Sequence, residues 1–148
     1  MISFELEGLP PSSNHAYETV YVLVRGKRRA SRRLSKEGST YERGVTAQIA
    51  DQIARMPGFS SPEAKYGVLI RLYFDTLNKG FPKTAKGRYK GSDASNRVKL
   101  LEDAIKKAVG RDDSHNFFVG ILKEHSPEVE YTLVELWRMD QERRTLEL

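Results

Sequence analysis

The run "YGVLIRLYF", Tyr66 to Phe74, constrains this chain more than any other segment. It is apolar on both alternating faces at its centre and rich in β-branched and aromatic residues. That pattern predicts a strand covered on both sides, and therefore central in a sheet. The segments around it read as partners for that strand. Ile2 to Leu6 alternates weakly and predicts a first strand, ended by Pro10-Pro11. "SSNHAY" is turn chemistry. "TVYVLVRG", Thr19 to Gly26, predicts a strand or hairpin arm. "NFFVGILKEH" and "VEYTLVELWR" predict two more strands, joined as a hairpin through His125-Ser126-Pro127-Glu128. In the second of these, Val129, Tyr131, Leu133, Glu135 and Trp137 share one face.

Two segments carry helical periodicity. Ser35 is placed to cap the first, with Glu37 in its first turn, where the helix dipole favours an acid. Tyr41, Val45, Ile49 and Ile53 follow at i+4 spacing, and Met56-Pro57-Gly58 ends the helix. The second runs from about Ser95 to Val109. Val98, Leu101, Ile105 and Ala108 form its apolar stripe. Asn96, Lys99, Asp103 and Lys106 form a separate polar stripe, and Gly110 can supply a left-handed cap. The order β-β-α-β-α-β-β predicts an α+β fold, a two-layer sandwich. It has one mixed β-sheet of four to five strands and two main helices on one face. At 148 residues, with no long linker, residues 1–148 are expected to form a single domain.

Composition narrows the functional classes. Cysteine is absent, which excludes disulfides and thiolate metal sites. The first residues lack the basic and long apolar regions of a secretory signal, and no apolar run approaches a membrane span. A cytoplasmic location, with no membrane partner, is the expectation. Net charge is +5, and its distribution says more than its size. The segment from Arg25 to Lys36 contains Arg25, Lys27, Arg28, Arg29, Arg32, Arg33 and Lys36 without one acid. It reads as a loop, and because beyond Leu34 it offers nothing apolar as an anchor, its order in the absence of DNA is left open by the sequence. A second acid-free cluster holds Lys79, Lys83, Lys86, Arg88 and Lys90, within a loop from Asp75 to Ser92 that also carries Phe81 and Tyr89. Two such segments repel each other unless a polyanion shares the space, and phosphate backbones are the natural one. Solvated basic loops without a partner are the plainer alternative.

The acids nearest structural transitions are Asp93, Asp112 and Asp113. Carboxylates suit Mg²⁺ or Mn²⁺, which serve phosphodiester hydrolysis. Lys99, six residues after Asp93, is placed to steady a phosphate. The same residues also fit plainer roles: Asp93 or Ser95 as a helix cap, Asp112-Asp113 as a solvated turn. His15 and His115 lack partners at zinc-ligand spacing, and the glycines match neither a P-loop nor a dinucleotide fingerprint.

Four stretches, "LPPSSNHAY", "LSKEGSTYERGV", "DASNRVKLLEDAI" and "GRDDS", follow one another in an order and spacing that resemble the RusA family of Holliday junction resolvases. The resemblance spans about residues 9 to 123. It implies a dimeric, Mg²⁺-dependent endonuclease, bacterial or phage-encoded, acting on four-way branched DNA, with Mn²⁺ as a substitute metal. The family pattern Asp-x-Asp-Asn-x-x-Lys implies metal and catalytic roles for Asp93, Asp113 and Asp112 and a catalytic role for Lys99. Ser95, Asn96 and Asp103 would stand behind them. Asn14, Arg97 and the basic segments, including Lys83, Lys86, Arg88 and Lys90, would contact DNA. This sequence departs from the pattern at Ser95, where the family has a second aspartate. A hydroxyl is a weaker ligand for a hard cation than a carboxylate, so the departure leaves open a protein that binds junctions and cuts them poorly. Asp93 and Asp112 are separated by about 15 helical residues, so one straight helix holds them roughly 20 Å apart. A composite site, Asp93 of one protomer meeting Asp113 of a partner, is the expectation that follows.

Overall fold

The computed structural model describes residues 1–61, 63–75, 83–84, 86, 94–110 and 116–140. In chain order the elements are β1 (Ile2–Glu7), α1 (Ser13–Ala16), β2 (Tyr17–Val24), β3 (Lys27–Leu34), α2 (Lys36–Ala54), β4 (Tyr66–Phe74), α3 (Ala94–Val109), β5 (Asn116–His125) and β6 (Tyr131–Arg138). The fold is α+β. A mixed four-stranded sheet has the order β1-β6-β4-β5, and β2 and β3 form a separate two-stranded sheet.

The expected central strand is central. β4 pairs in parallel with β5 and antiparallel with β6, and β1 closes the far edge of β6. Parallel pairing of β4 and β5 needs a crossover, and α3 supplies it. The hairpin expected between β5 and β6 is not formed. The two strands flank β4 on opposite sides, and their connection passes its end, where the Ser126 amide donates to the Phe74 carbonyl at 2.9 Å. With one edge of β4 taken by β5, β6 takes the other and gains β1 as a second partner.

Strand periodicity sorts the sheet into two faces. Ile2, Phe4, Leu6, Val68, Ile70, Leu72, Val134 and Leu136 are buried in the main core, on the helix side. Burying each such side chain contributes roughly 1.5–3 kcal/mol. Tyr131, Leu133, Glu135 and Trp137 do share a face, as expected, and it is the face away from the helices. There Trp137 lies over Gly67, where a Cβ would collide with the indole ring, and Tyr73 stacks on Tyr131 at 4.1 Å.

Both helices obey their sequence signals. The Ser35 hydroxyl accepts from the Gly38 amide at 3.0 Å and caps α2. Val45 and Ile49 are buried, with Tyr41 and Ile53 packed beside them. In α3, Val98, Leu101 and Ile105 face the core, with Ala108 at its margin. Gly110, at φ 71°, closes the helix by donating to the Lys106 carbonyl at 2.9 Å. One charge pair escaped the pattern: Glu42, buried on α2, pairs with Lys107 of α3.

The basic segment differs from expectation. It is a strand, β3, paired with β2 over the full register from Tyr17↔Leu34 to Val24↔Lys27. No residue in either strand is buried. Because neither face meets a core, an Arg-rich strand here carries none of the apolar alternation by which strands are read. "SSNHAY" likewise holds a single helical turn, α1, where a turn was expected.

Candidate active site

α1 is the joint of the molecule. The Ser13 hydroxyl donates to the Asn96 carbonyl at 2.7 Å, tying α1 to the first turn of α3. On its other side, the Ser35 amide donates to the Ala16 carbonyl at 2.9 Å and the Ser35 hydroxyl to the His15 carbonyl. Gly38 is required at this junction, because a Cβ there would collide with the Ala16 carbonyl oxygen. The Arg97 guanidinium donates to the Pro10 carbonyl at 3.0 Å, holding the preceding Pro-Pro turn. Three of the four motif stretches, far apart in sequence, therefore meet at one place.

A pocket of about 210 Å³ opens there, lined by Ser13, Tyr17, Arg32 and Lys99. It presents two cations and two hydroxyls. The Arg32 guanidinium lies 5.3 Å from the Tyr17 ring centre, a cation–ring contact within the hairpin base, and both residues line the pocket. The Tyr17 hydroxyl donates to Asp103 Oδ2 at 3.2 Å. Burial raises the Tyr17 phenol above its ordinary value, the Asp103 charge and hydrogen bond raise it further, and Arg32 partly offsets them. The phenol thus stays a proton donor at neutral pH. With both hydroxyl protons donated within the protein, the two cations are what an anion with several oxygens, such as a phosphodiester, would meet.

Sequence reasoning located part of this set. Lys99 and Arg32 are in the pocket, and Asp103 stands behind Tyr17. Asn96 contributes its backbone carbonyl, and its side chain is exposed. Ser95 lies inside the first turn of α3, which begins at Ala94, so it does not hold the cap position. Asn14 is exposed on α1, and Arg25, Lys27, Arg28 and Arg29 are exposed on the hairpin. Arg33 is paired with Glu18 at 2.7 Å. Lys83 and Lys86 are exposed. Asp93, Asp112, Asp113, Arg88 and Lys90 lie outside the described residues. Among the described residues no group of three acids or histidines could hold a metal. Ser13 and Tyr17 were missed, because a hydroxyl in a turn motif and a tyrosine opening a strand each look local until the fold carries them to α3.

The family model described as endodeoxyribonuclease RusA matches residues 8–133. The chain belongs to the RusA family. The match runs from the turn before α1 into β6 and so includes the pocket and every element that builds it. Membership places this RusA-family protein among DNA endonucleases that resolve Holliday junctions. A comparison with curated proteins finds no match. Among the described residues, no helix is long and apolar enough to cross a membrane.

Proposed function

We propose that this RusA-family chain is a metal-dependent, structure-selective endonuclease that resolves four-way DNA junctions by paired symmetric nicks. The observation that supports it is the pocket of Lys99, Arg32, Ser13 and Tyr17 at the meeting point of the family motifs. In this reading Lys99 and Arg32 bind the scissile phosphate, while Ser13 and Tyr17, whose protons go to the Asn96 carbonyl and to Asp103, hold the pocket walls in place. Asp93, Asp113 and Asp112 would hold Mg²⁺ or Mn²⁺; an all-carboxylate donor set in a chain without cysteine suits a hard divalent ion. Such an ion supplies charge neutralisation and activation of water at the phosphodiester.

α3 holds 16 residues and is about 24 Å long, and Asp93 and Asp112 flank its opposite ends in the chain. We therefore assign the sites to a homodimer, Asp93 of one protomer acting with Asp113 of the partner. Two symmetric sites suit two symmetric nicks. Mixing Asp93→Asn with Asp113→Asn protein tests this arrangement. The heterodimer should recover one nicking site, and a mixture as inactive as either parent would sink it.

The test of the whole reading is a labelled four-way junction incubated with Mg²⁺ or Mn²⁺, with Lys99→Ala and Ser95→Asp alongside. Paired nicks by the wild type, reduced at least a hundredfold in Lys99→Ala, support it. Ser95 favours a second reading, a junction-binding protein with weak cleavage. That reading expects binding without cuts in the wild type and cleavage in Ser95→Asp.

A further inference from the structure

The β2–β3 hairpin has properties that gripping a phosphate backbone does not explain. Its distal end exposes large apolar side chains: Tyr21 is 61% exposed and Leu23 is 78% exposed. The register puts both on one face with Arg28, and the Arg28 guanidinium lies 4.1 Å above the Tyr21 ring centre. Tyr17 and Arg32 repeat the stacked pair on the same face at the hairpin base, where they line the phosphate pocket. This face is therefore a continuous surface from the pocket to the tip.

The turn adds a second observation. Its two central residues, Arg25 and Gly26, have φ of 50° and 72°, as a type I′ hairpin turn requires. Glycine accepts that conformation freely, whereas arginine is strained in it, and asparagine suits the position far better. A cation is held at the tip against a backbone cost.

We infer that the Tyr21–Leu23–Arg28 face of the hairpin stacks on unpaired or unstacked bases at a DNA branch point, and so selects branched over continuous DNA. In an intact duplex the base faces are hidden by their neighbours. At a branch point, stacking is interrupted and a base face is available to an aromatic ring backed by a guanidinium. A leucine beside it is the kind of wedge that enters an opened base step. Arg25 and Arg28 meet the flanking phosphates by charge complementarity. This inference rests on the DNA substrate proposed above and adds to it the source of its structural selectivity.

The test uses full-length protein with Tyr21→Ala, Leu23→Ser and the conservative Tyr21→Trp. Binding is measured to a four-way junction and to a linear duplex of equal length, with 2-aminopurine at the branch point as a stacking reporter. Tyr21→Ala should lose roughly tenfold in junction affinity and change duplex affinity less than twofold. Wild type and Tyr21→Trp should quench the reporter, and Tyr21→Ala should not. Unchanged thermal melting is expected, since neither side chain is buried. Equal losses on junction and duplex would overturn the inference in favour of the ribbon lying in a groove, and unchanged binding to both would overturn it outright. Cleavage by the wild type, with a Tyr21→Ala variant that still quenches the reporter and keeps its preference for the junction, would refute the hairpin role alone. Reporter quenching without any cleavage would refute the endonuclease reading alone.

Discussion

The main sheet with α2 and α3, and the β2–β3 hairpin, are made by different physics. In the sheet and helices, shape follows from burial: Ile70, Leu72, Leu101, Val134 and Leu136 are at 0% exposure and each is held by several elements. In the hairpin nothing is buried. Its order comes from a two-residue turn, backbone ladder bonds, one Arg33–Glu18 pair and two guanidinium–ring contacts. An isolated two-stranded ribbon is marginal in water. The contrast teaches that the hairpin's residue types are not set by packing, so they report on what the hairpin touches. In the sheet and helices, residue types report mainly on neighbours.

The contrast breaks first at the core. Ile70→Ala should cost about 4 kcal/mol in urea unfolding, whereas Val22→Ala on the hairpin should cost less than about 0.5 kcal/mol. Similar losses at the two positions would mean the hairpin is packed after all. Next comes the joint between the regions. Gly38→Ala forces α1 and α2 apart and should cost about 2 kcal/mol in the same measurement, with the Lys99 pocket disturbed in proportion.

Lys107→Met leaves the buried Glu42 carboxylate without its partner, and a loss of roughly 1–2 kcal/mol is expected, moderated because Lys107 is half exposed. Restoration by the double variant with Glu42→Leu would identify the pair as the cause. A loss that persists would point to packing instead.

Tyr17→Phe removes the hydrogen bond to Asp103 and should cost about 1 kcal/mol at neutral pH. The folded state raises the Tyr17 pKa, so it holds this proton more tightly than the unfolded chain does. The stabilising contribution is therefore complete below pH 10 and fades as pH rises through the folded value. Wild-type stability should fall more steeply above pH 10 than that of Tyr17→Phe; parallel curves would contradict the assignment. The smallest effect is a gain. Arg25→Asn relieves the turn and should raise hairpin amide protection in hydrogen exchange by about 0.5–1 kcal/mol, leaving global unfolding unchanged.

Elements with a buried face were legible because burial writes a period into the sequence. The both-faced run from Tyr66 to Phe74 announced a central strand, and the i+4 stripe of α2 and the Val98–Leu101–Ile105 stripe of α3 announced helices. β3 was not legible, since Lys27 to Leu34 alternates nothing; its signal was the Arg25-Gly26 pair between two segments of equal length. The parting of β5 and β6 was equally hidden, because adjacency in sequence favours a hairpin and only competition for the edges of β4 decides otherwise. At the site, Lys99 and Arg32 were found by charge and motif. Ser13 and Tyr17 joined them only through the long-range contact of α1 with α3.

By itself, then, the sequence determined the class of fold, the central strand, both amphipathic helices with the Ser35 cap of α2 and the Gly110 cap of α3, and the family through its motif stretches. Those are properties of local periodicity, local conformational preference and residue order, all carried within short windows. Tertiary structure decided the strand order, the separation of the basic ribbon from the main sheet, and the pocket that joins Ser13 and Tyr17 to Arg32 and Lys99. Those depend on which surfaces compete for the same neighbour, and that competition is settled only when residues as distant as Ser13 and Asn96 are brought into contact.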